Sequence, residues 1–125
     1  MLKEFLDQNL EEIKKEPVVV ATMSASWCSP CRKEHKYLLK LKNSTNIKIL
    51  RINFKDNKNN ALLFLEKLGD PYHYSTQDLN GKLSISLGAY GVPESILINN
   101  KLEIIKKYVG PINNFNYKEI LKIIN

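Results

Sequence analysis

The two cysteines of this chain stand two residues apart, in the segment Trp27-Cys28-Ser29-Pro30-Cys31, and the 125 residues contain no others. Two thiols in a Cys-x-x-Cys arrangement can close a disulfide across one helical turn when the first lies at the start of a helix. There the free backbone N–H groups and the helix dipole stabilise a thiolate. The spacing therefore predicts a redox-active pair, with Cys28 as the nucleophile and Cys31 as the resolving cysteine.

A helix is predicted directly after this motif. Proline is tolerated in the first turn of a helix, so Pro30 favours a start at the cysteines. Tyr37, Leu38 and Leu41 then form an apolar stripe at helical spacing. Basic residues occupy most of the other positions and predict a solvated face. We expect the helix to end at residues 43–44.

Apolar, β-branched runs on both sides of this helix predict two strands. Residues 18–21 form a short run without alternation, which is typical of a strand buried on both faces. Residues 47–53 read as the second strand. A strand, a helix and a second strand predict a parallel pair with a right-handed crossover.

The rest of the chain predicts further short elements of one domain, because 125 residues with 43% hydrophobic side chains suffice for one core. These elements are an amphipathic helix over residues 2–15, a helix over 57–68 with Ala61, Leu62, Leu65 and Leu68 on its apolar face, a short strand over 72–76, a helical turn over 83–87, a hairpin of 95–98 and 102–109, and a last helix over 115–124.

The net charge of +6 would permit binding to an acidic partner. The lysines are spread along the chain without a basic run interleaved with aromatics, so we expect no nucleic-acid binding. No run approaches the length of a membrane span, and no signal-peptide pattern opens the chain. We expect one soluble, monomeric domain over residues 1–125, with any anchor or signal absent or removed.

The cysteine spacing also occurs in half of a zinc site, in which His35 and His73 would supply the other ligands. The chain lacks a second cysteine pair and a regular His-x₃-His spacing, which favours the redox pair. His35 follows Cys28 by two helical turns, about 11 Å, which is too far for direct proton exchange. We expect His35 to have a surface or packing role and His73 to be a strand residue.

A Cys-x-x-Cys motif at a strand-to-helix junction, followed by a hairpin and a last helix, resembles the thioredoxin fold. The segment Gly91-Val92-Pro93 extends this resemblance, because thioredoxin-like proteins carry a cis-proline ahead of the hairpin. The resemblance implies that Pro93 is cis and lies beside the disulfide, and that the backbone of Val92 pairs with a bound peptide.

Three more residues are expected to border the substrate site. Trp27 is expected to cap the disulfide, and Pro30 lies between the two cysteines. Tyr90 either packs beneath the proline loop or contacts the substrate.

Three segments narrow the resemblance from the thioredoxin fold in general to one family of it. They are residues 27–35 (WCSPCRKEH), 68–72 (LGDPY) and 88–94 (GAYGVPE). They are similar to the thiol:disulfide interchange proteins of cytochrome c maturation, the DsbE/CcmG family. The resemblance implies an α/β fold with a central mixed sheet flanked by helices and a family insert before the proline loop, around residues 69–87. It also implies that Glu94 is a catalytic residue, the candidate for transferring the proton of Cys31.

The same resemblance implies a function. Proteins of this kind reduce disulfides in apocytochrome c or in a maturation partner, and a membrane thiol electron donor keeps them reduced. They need no metal and no cofactor beyond the redox-active disulfide, here Cys28–Cys31. They are periplasmic, so we expect a periplasmic protein that is membrane-tethered in its full-length form.

The chain departs from the family pattern in three places. The family's extended N-terminal segment is not seen. Ser24 stands where an aromatic is usual, which predicts a looser floor of the site, and Thr22 stands where thioredoxin has a buried acid. The other functions to weigh are a general thioredoxin-like reductase and a non-enzymatic binding module, and the intact cysteines argue against the second.

Overall fold

Five strands and four helices follow one another through residues 14–125, the part of the chain that the computed structural model describes. In chain order they are β1 (Val18–Ser24), α1 (Ser29–Ser44), β2 (Lys48–Phe54), α2 (Lys58–Leu68), β3 (Tyr74–Asp78), α3 (Lys82–Ser86), β4 (Glu94–Asn99), β5 (Ile104–Val109) and α4 (Asn114–Ile124). The helix predicted over residues 2–15 lies outside the described residues except for its last two positions.

The strands form one mixed sheet in the order β3-β2-β1-β4-β5. β1 is central: it pairs in parallel with β2 and antiparallel with β4. β2 pairs in parallel with β3, and β4 pairs antiparallel with β5. The prediction of a central mixed sheet flanked by helices is confirmed. Because α1 connects β1 to β2, its N-terminus and the cysteines lie at the carboxyl end of the central strand.

Each face of the sheet has its own apolar core, as expected when side chains alternate along strands that are covered on both sides. One core contains Val19, Ala21, Met23, Leu50, Ile52, Leu87, Ala89, Ile96 and Ile98. The other contains Val20, Leu38, Leu41, Ile47, Ile49, Leu97, Tyr108, Ile112 and Ile120. α1 and α4 cover the second core, which explains the apolar stripe predicted for α1.

Two strands begin two residues later than predicted, because polar side chains shape the preceding turns. The Asp70 carboxylate accepts the backbone N–H of Tyr72 at 2.9 Å, so that β3 starts at Tyr74. The Asn99 side chain accepts the N–H groups of Lys101 and Glu103, at 3.0 and 2.9 Å, so that β5 starts at Ile104.

The apolar face predicted for α2 is partly wrong. Ala61 and Leu65 are buried, but the third buried residue is Phe64, while Leu62 and Leu68 are exposed. Phe64 is buried because α2 packs beside α1, where its ring meets the His35 ring edge-on at 5.0 Å between centroids.

The segment predicted as an insert, residues 69–87, contains β3 and α3. The buried carboxylate of Asp78 ties these elements together by accepting the backbone N–H and the hydroxyl of Ser84, at 2.8 and 2.7 Å. Within residues 14–125, no helix combines the length and the apolar character needed to cross a bilayer.

Candidate functional site

The two cysteines form a disulfide in the first turn of α1, with 5.3 Å between their Cα atoms. Cys28 is the N-cap residue, its sulfur accepts the backbone N–H of Cys31 at 3.2 Å, and Pro30 lies in the first turn. Cys28 is 3% exposed and Cys31 1%. The structure therefore places Cys28 at the positive end of the helix dipole, where a thiolate is stabilised.

The loop before β4 lies against the disulfide. Val92 packs on the small cluster formed by Ala25, Cys28 and Cys31. The peptide bond between Val92 and Pro93 is cis, and the Pro93 side chain is buried. The segment predicted to meet the substrate backbone is thus a direct neighbour of the cysteines.

Glu94 holds this loop rather than standing free beside the sulfurs. One carboxylate oxygen accepts the backbone N–H groups of Tyr90 and Gly91, at 2.7 and 3.1 Å. The other oxygen lies 3.3 Å from the ammonium of Lys107, and the residue is buried. Two amide donors and one cation thus surround the carboxylate, an arrangement that fixes the conformation of the turn before Pro93.

The ring of Tyr90 does not pack beneath the loop, so this part of the prediction is wrong. The residue is 93% exposed, and the Lys107 ammonium lies 5.7 Å from the centroid of its ring. Its backbone N–H, not its side chain, is what the loop uses, because that N–H is one of the two donors to Glu94.

Trp27 stands at the edge of the site, immediately before Cys28. Its side chain is 58% exposed, and its indole N–H donates to the backbone carbonyl of Lys55 at 3.1 Å. The preceding turn is fixed by the buried Asp56 carboxylate, which accepts the N–H and the hydroxyl of Ser26, at 2.7 and 2.8 Å. An exposed aromatic ring on a fixed turn is suited to contact a polypeptide.

A buried acid that no sequence motif predicts lies one helical turn after Cys31. Glu34 is fully buried and accepts the backbone N–H of Ile112 at 3.1 Å and the hydroxyl of Thr22 at 3.3 Å. Residues three apart on a helix share a face, so its carboxyl lies on the Cys31 side of α1. Burial raises the pKa of Glu34 to about 7, although the two hydrogen bonds oppose this shift.

Thr22 links this acid to the sheet. Its hydroxyl accepts from the Ser95 hydroxyl at 3.0 Å and donates to Glu34. The strand position where the thioredoxin resemblance implies a buried acid is therefore polar, and the acid beside it comes from α1. A sequence pattern could have identified Glu34 as buried, because it belongs to a stripe at helical spacing formed by Cys31, Glu34, Leu38 and Leu41.

The two histidines do not join the cysteines in a zinc site. The His35 ring is buried and bonds the Gly69 carbonyl at 2.8 Å, which gives it a packing role. The ring of His73 accepts the N–H of Ile49 at 3.0 Å beside β2. Burial lowers the pKa of both histidines. Within the described residues, no three metal-ligating side chains come together.

The floor behind the site contains a small gap. Ser24, where the resemblance leads one to expect an aromatic, is buried and lines a cavity of about 10 Å³ together with Phe64 and Tyr72. That volume is about enough for one water molecule.

Known proteins that are similar to this chain are named as thiol:disulfide interchange proteins. The chain matches the Redoxin family over residues 3–122. It is 44% identical over 105 residues to the thiol:disulfide interchange protein CycY of Rhizobium leguminosarum, covering 84% of this chain and 56% of that protein. It is 39% identical over 115 residues to the thiol:disulfide interchange protein DsbE of Vibrio cholerae, covering 92% of this chain and 60% of that protein.

Solved structures share the fold. The thioredoxin domain of a thiol-disulfide oxidoreductase from Bacteroides vulgatus superposes with a TM-score of 0.78 at 21% identity, covering 93% of this chain and 84% of that one. The chain spans less than two thirds of the two curated relatives described above. Three observations are consistent with one another: the family match over nearly all of the chain, the shared fold and the disulfide at the start of α1. This domain therefore belongs to the Redoxin family and is similar to the DsbE and CycY thiol:disulfide interchange proteins.

Proposed function

We propose that the protein reduces disulfides in apocytochrome c, or in a partner protein of cytochrome c maturation. The observation that carries the proposal is the Cys28–Cys31 pair at the N-terminus of α1, with the Val92–Pro93 loop packed against it. The names of the relatives support thiol-disulfide exchange, and the resemblance of three segments to the DsbE/CcmG family supports the choice of substrate.

The reaction starts from the reduced pair. The Cys28 thiolate attacks one sulfur of the substrate disulfide, and the other substrate sulfur leaves as a thiolate and takes up a proton. Cys31 then loses its proton and attacks the Cys28 sulfur. This step breaks the mixed disulfide, closes the Cys28–Cys31 bond and releases the second substrate thiol. Two electrons pass to the substrate, and a membrane thiol electron donor restores the dithiol.

Glu34 is our first candidate for the group that takes the Cys31 proton. Its carboxyl is buried on the same helix face, and a pKa of about 7 allows it to accept and release protons near neutral pH. Glu94 remains a second candidate, although its Oε2 already accepts two amide N–H groups and its Oε1 lies 3.3 Å from the Lys107 ammonium.

The substrate lies across the loop beside the disulfide in this proposal. The Val92 backbone pairs with the extended substrate chain. The side chains of Trp27, Pro30 and Tyr90 contact the substrate around the cysteines. Trp27 and Tyr90 are strongly exposed and free to meet a partner. The protein acts as a monomer in the periplasm and is membrane-tethered in its full-length form, which fractionation of cells that express the full-length protein tests.

The first experiment compares two substrates of the reduced protein. We expect faster reduction of a disulfide-closed Cys-x-x-Cys-His peptide than of insulin, since the peptide carries the haem-attachment motif. Cys28→Ser abolishes the reaction, whereas Cys31→Ser accumulates a mixed disulfide that mass spectrometry detects. Equal or faster insulin reduction would indicate a general thioredoxin-like reductase. Exchange retained by Cys28→Ser would exclude both functions.

A further inference from the structure

An open groove of about 480 Å³ runs beside Trp27, between the turn before α1 and one face of α2. Its walls include Trp27, Arg32, Leu63, Phe64 and Lys67. The groove lies on the α2 side of the cysteines and adjoins the active site through Trp27, which precedes Cys28.

Apolar surface in this groove faces solvent. Trp27 is 58% exposed and Leu63 is 55% exposed, on two different elements that line the same groove. Neighbouring apolar side chains left open to water in a concave site are typical of surfaces that bind a partner.

The aromatic and cationic walls of the groove are held in position before any partner arrives. The Trp27 indole is fixed by its hydrogen bond to the Lys55 carbonyl. The Arg32 guanidinium lies over the Phe64 ring, 4.7 Å from its centroid, and donates to the Ser26 carbonyl at 3.1 Å. Side chains that are already ordered lose little conformational entropy on binding, which favours association.

The charge of the groove is positive. Arg32 and Lys67 both line it, and none of the described residues contributes a carboxylate to its walls. Among residues 14–125, neither cation forms a salt bridge with an acidic side chain. Asp56, near the same turn, directs its carboxylate to the amides of Ser26 and Asn57 instead. The two cations lie beside apolar surface and have no salt-bridge partner among these residues. Their charge is therefore complementary to that of an acidic polypeptide segment.

We propose that this groove binds an acidic stretch of the substrate polypeptide, one that carries an apolar side chain and flanks the disulfide to be reduced. The inference rests on the proposed function and deepens it, because it assigns a substrate preference to the surface next to Cys28. The apolar side chain contacts Trp27 and Leu63, and the acidic side chains pair with Arg32 and Lys67. An extended chain advances about 3.3 Å per residue, so the acidic positions lie a few residues from the substrate cysteine.

The test uses disulfide-closed peptides that differ only in the residues flanking the cysteines: Glu-Leu-Glu, Gln-Leu-Gln or Lys-Leu-Lys. Second-order rates of reduction are measured with the reduced protein. Binding to the oxidised protein is followed by the fluorescence of Trp27, the single tryptophan of the chain. We expect the acidic peptide to react and bind about fivefold better than the glutamine peptide, the factor typical of an exposed ion pair. The preference disappears in high salt.

Charge reversal at the groove gives the sharper comparison. Lys67→Glu removes the preference for the acidic peptide and speeds the reaction of the lysine peptide. Lys58→Glu is the matched control, because it makes the same charge change on the same helix outside the groove. Leu63→Ser weakens the binding of leucine-containing peptides, whereas Leu62→Ser, on an exposed neighbour outside the groove, leaves it unchanged.

The two readouts separate this inference from the proposed function. Equal rates and equal binding for all three peptides, or the same response of Lys67→Glu and Lys58→Glu, would overturn the groove assignment even if the peptides are reduced. If the oxidised protein prefers the acidic peptide but the reduced protein attacks none of them, the groove assignment is supported and the proposed reduction fails.

Discussion

Glu34 shows how burial changes the chemistry of one side chain. Its carboxyl has no exposed surface, its hydrogen bonds come from Ile112 and Thr22, and no cation within residues 14–125 forms a salt bridge with it. Ionisation in this position is opposed by desolvation, which is the largest cause of its raised pKa. The folded state therefore binds this proton more tightly than the unfolded chain does.

The pH dependence of stability follows from that difference. The favourable contribution of the protonated Glu34 is complete below about pH 4.5 and is lost as the pH rises through about 7, the folded-state pKa. We expect wild type to lose about 3 kcal/mol of unfolding free energy relative to Glu34→Gln between pH 4 and pH 8. Urea unfolding of the oxidised proteins measures this loss. The exposed Glu66→Gln is the control, and parallel curves for wild type and Glu34→Gln would contradict the shift.

At the scale of an element, the turn before β4 is organised by one side chain. Glu94 is the first residue of β4, and its carboxylate reaches back to the N–H groups of Tyr90 and Gly91 while it pairs with Lys107 from β5. The strand thereby fixes the loop that carries Val92 to the disulfide. This contact network connects the hairpin to the active site.

Glu94→Ala leaves the amides of Tyr90 and Gly91 without their acceptor and removes the carboxylate that pairs with the Lys107 ammonium. We expect it to cost about 2–3 kcal/mol of unfolding free energy and to slow disulfide exchange, because the loop beside the cysteines loosens. Chemical unfolding and the peptide assay measure the two effects, with Glu66→Ala as the exposed control. Glu94→Gln keeps one carbonyl acceptor and should retain more activity than Glu94→Ala. A shifted pH–rate profile in Glu94→Gln would instead support a role in proton transfer.

At the scale of the whole molecule, the sheet divides the interior into two cores. Leu38 of α1 belongs to one core and Ile52 of β2 to the other. The site lies at the end of β1, which contributes side chains to both. Because the sheet separates the cores, substitutions in one should affect the other little.

Leu38→Ala should cost about 3 kcal/mol of unfolding free energy and Ile52→Val about 1 kcal/mol. We expect the double variant to lose the sum of the two within about 0.5 kcal/mol. Denaturant unfolding of the four proteins tests this, and Leu62→Ala, an exposed leucine of α2, should change stability by less than about 0.5 kcal/mol. A coupling above 1 kcal/mol would show that the cores act as one unit.

Much of the architecture could be predicted because it depends on local patterns. The cysteine spacing with Pro30 marks the start of α1, and the apolar runs mark β1 and β2. These patterns reflect helix capping, backbone restriction and the periodicity of buried side chains, which act within a few residues of each other.

Side-chain roles that depend on distant contacts were predicted less well. In the sequence, Glu34 is one more charged residue on a helix with many charged positions. In the structure its carboxyl accepts the backbone N–H of Ile112, which lies 78 residues later in the chain. The Phe64 ring packs on His35 of α1, and the helical spacing of Ala61, Phe64 and Leu65 is the local pattern that could have indicated its burial. Tyr90 is exposed because the loop uses its backbone, and no local signal distinguishes that use from packing.

The amino-acid pattern alone was thus enough for the redox pair, the helix that begins at it, the parallel strands beside it and the resemblance to thioredoxin-like proteins. Those features follow from short-range geometry and periodicity. The burial of Glu34, the loop-holding contacts of Glu94 and the groove beside Trp27 arise only when elements far apart in the chain pack together. Desolvation and hydrogen-bond partners are set by that packing, so the protonation of the buried acid and the shape of the substrate surface belong to the folded molecule.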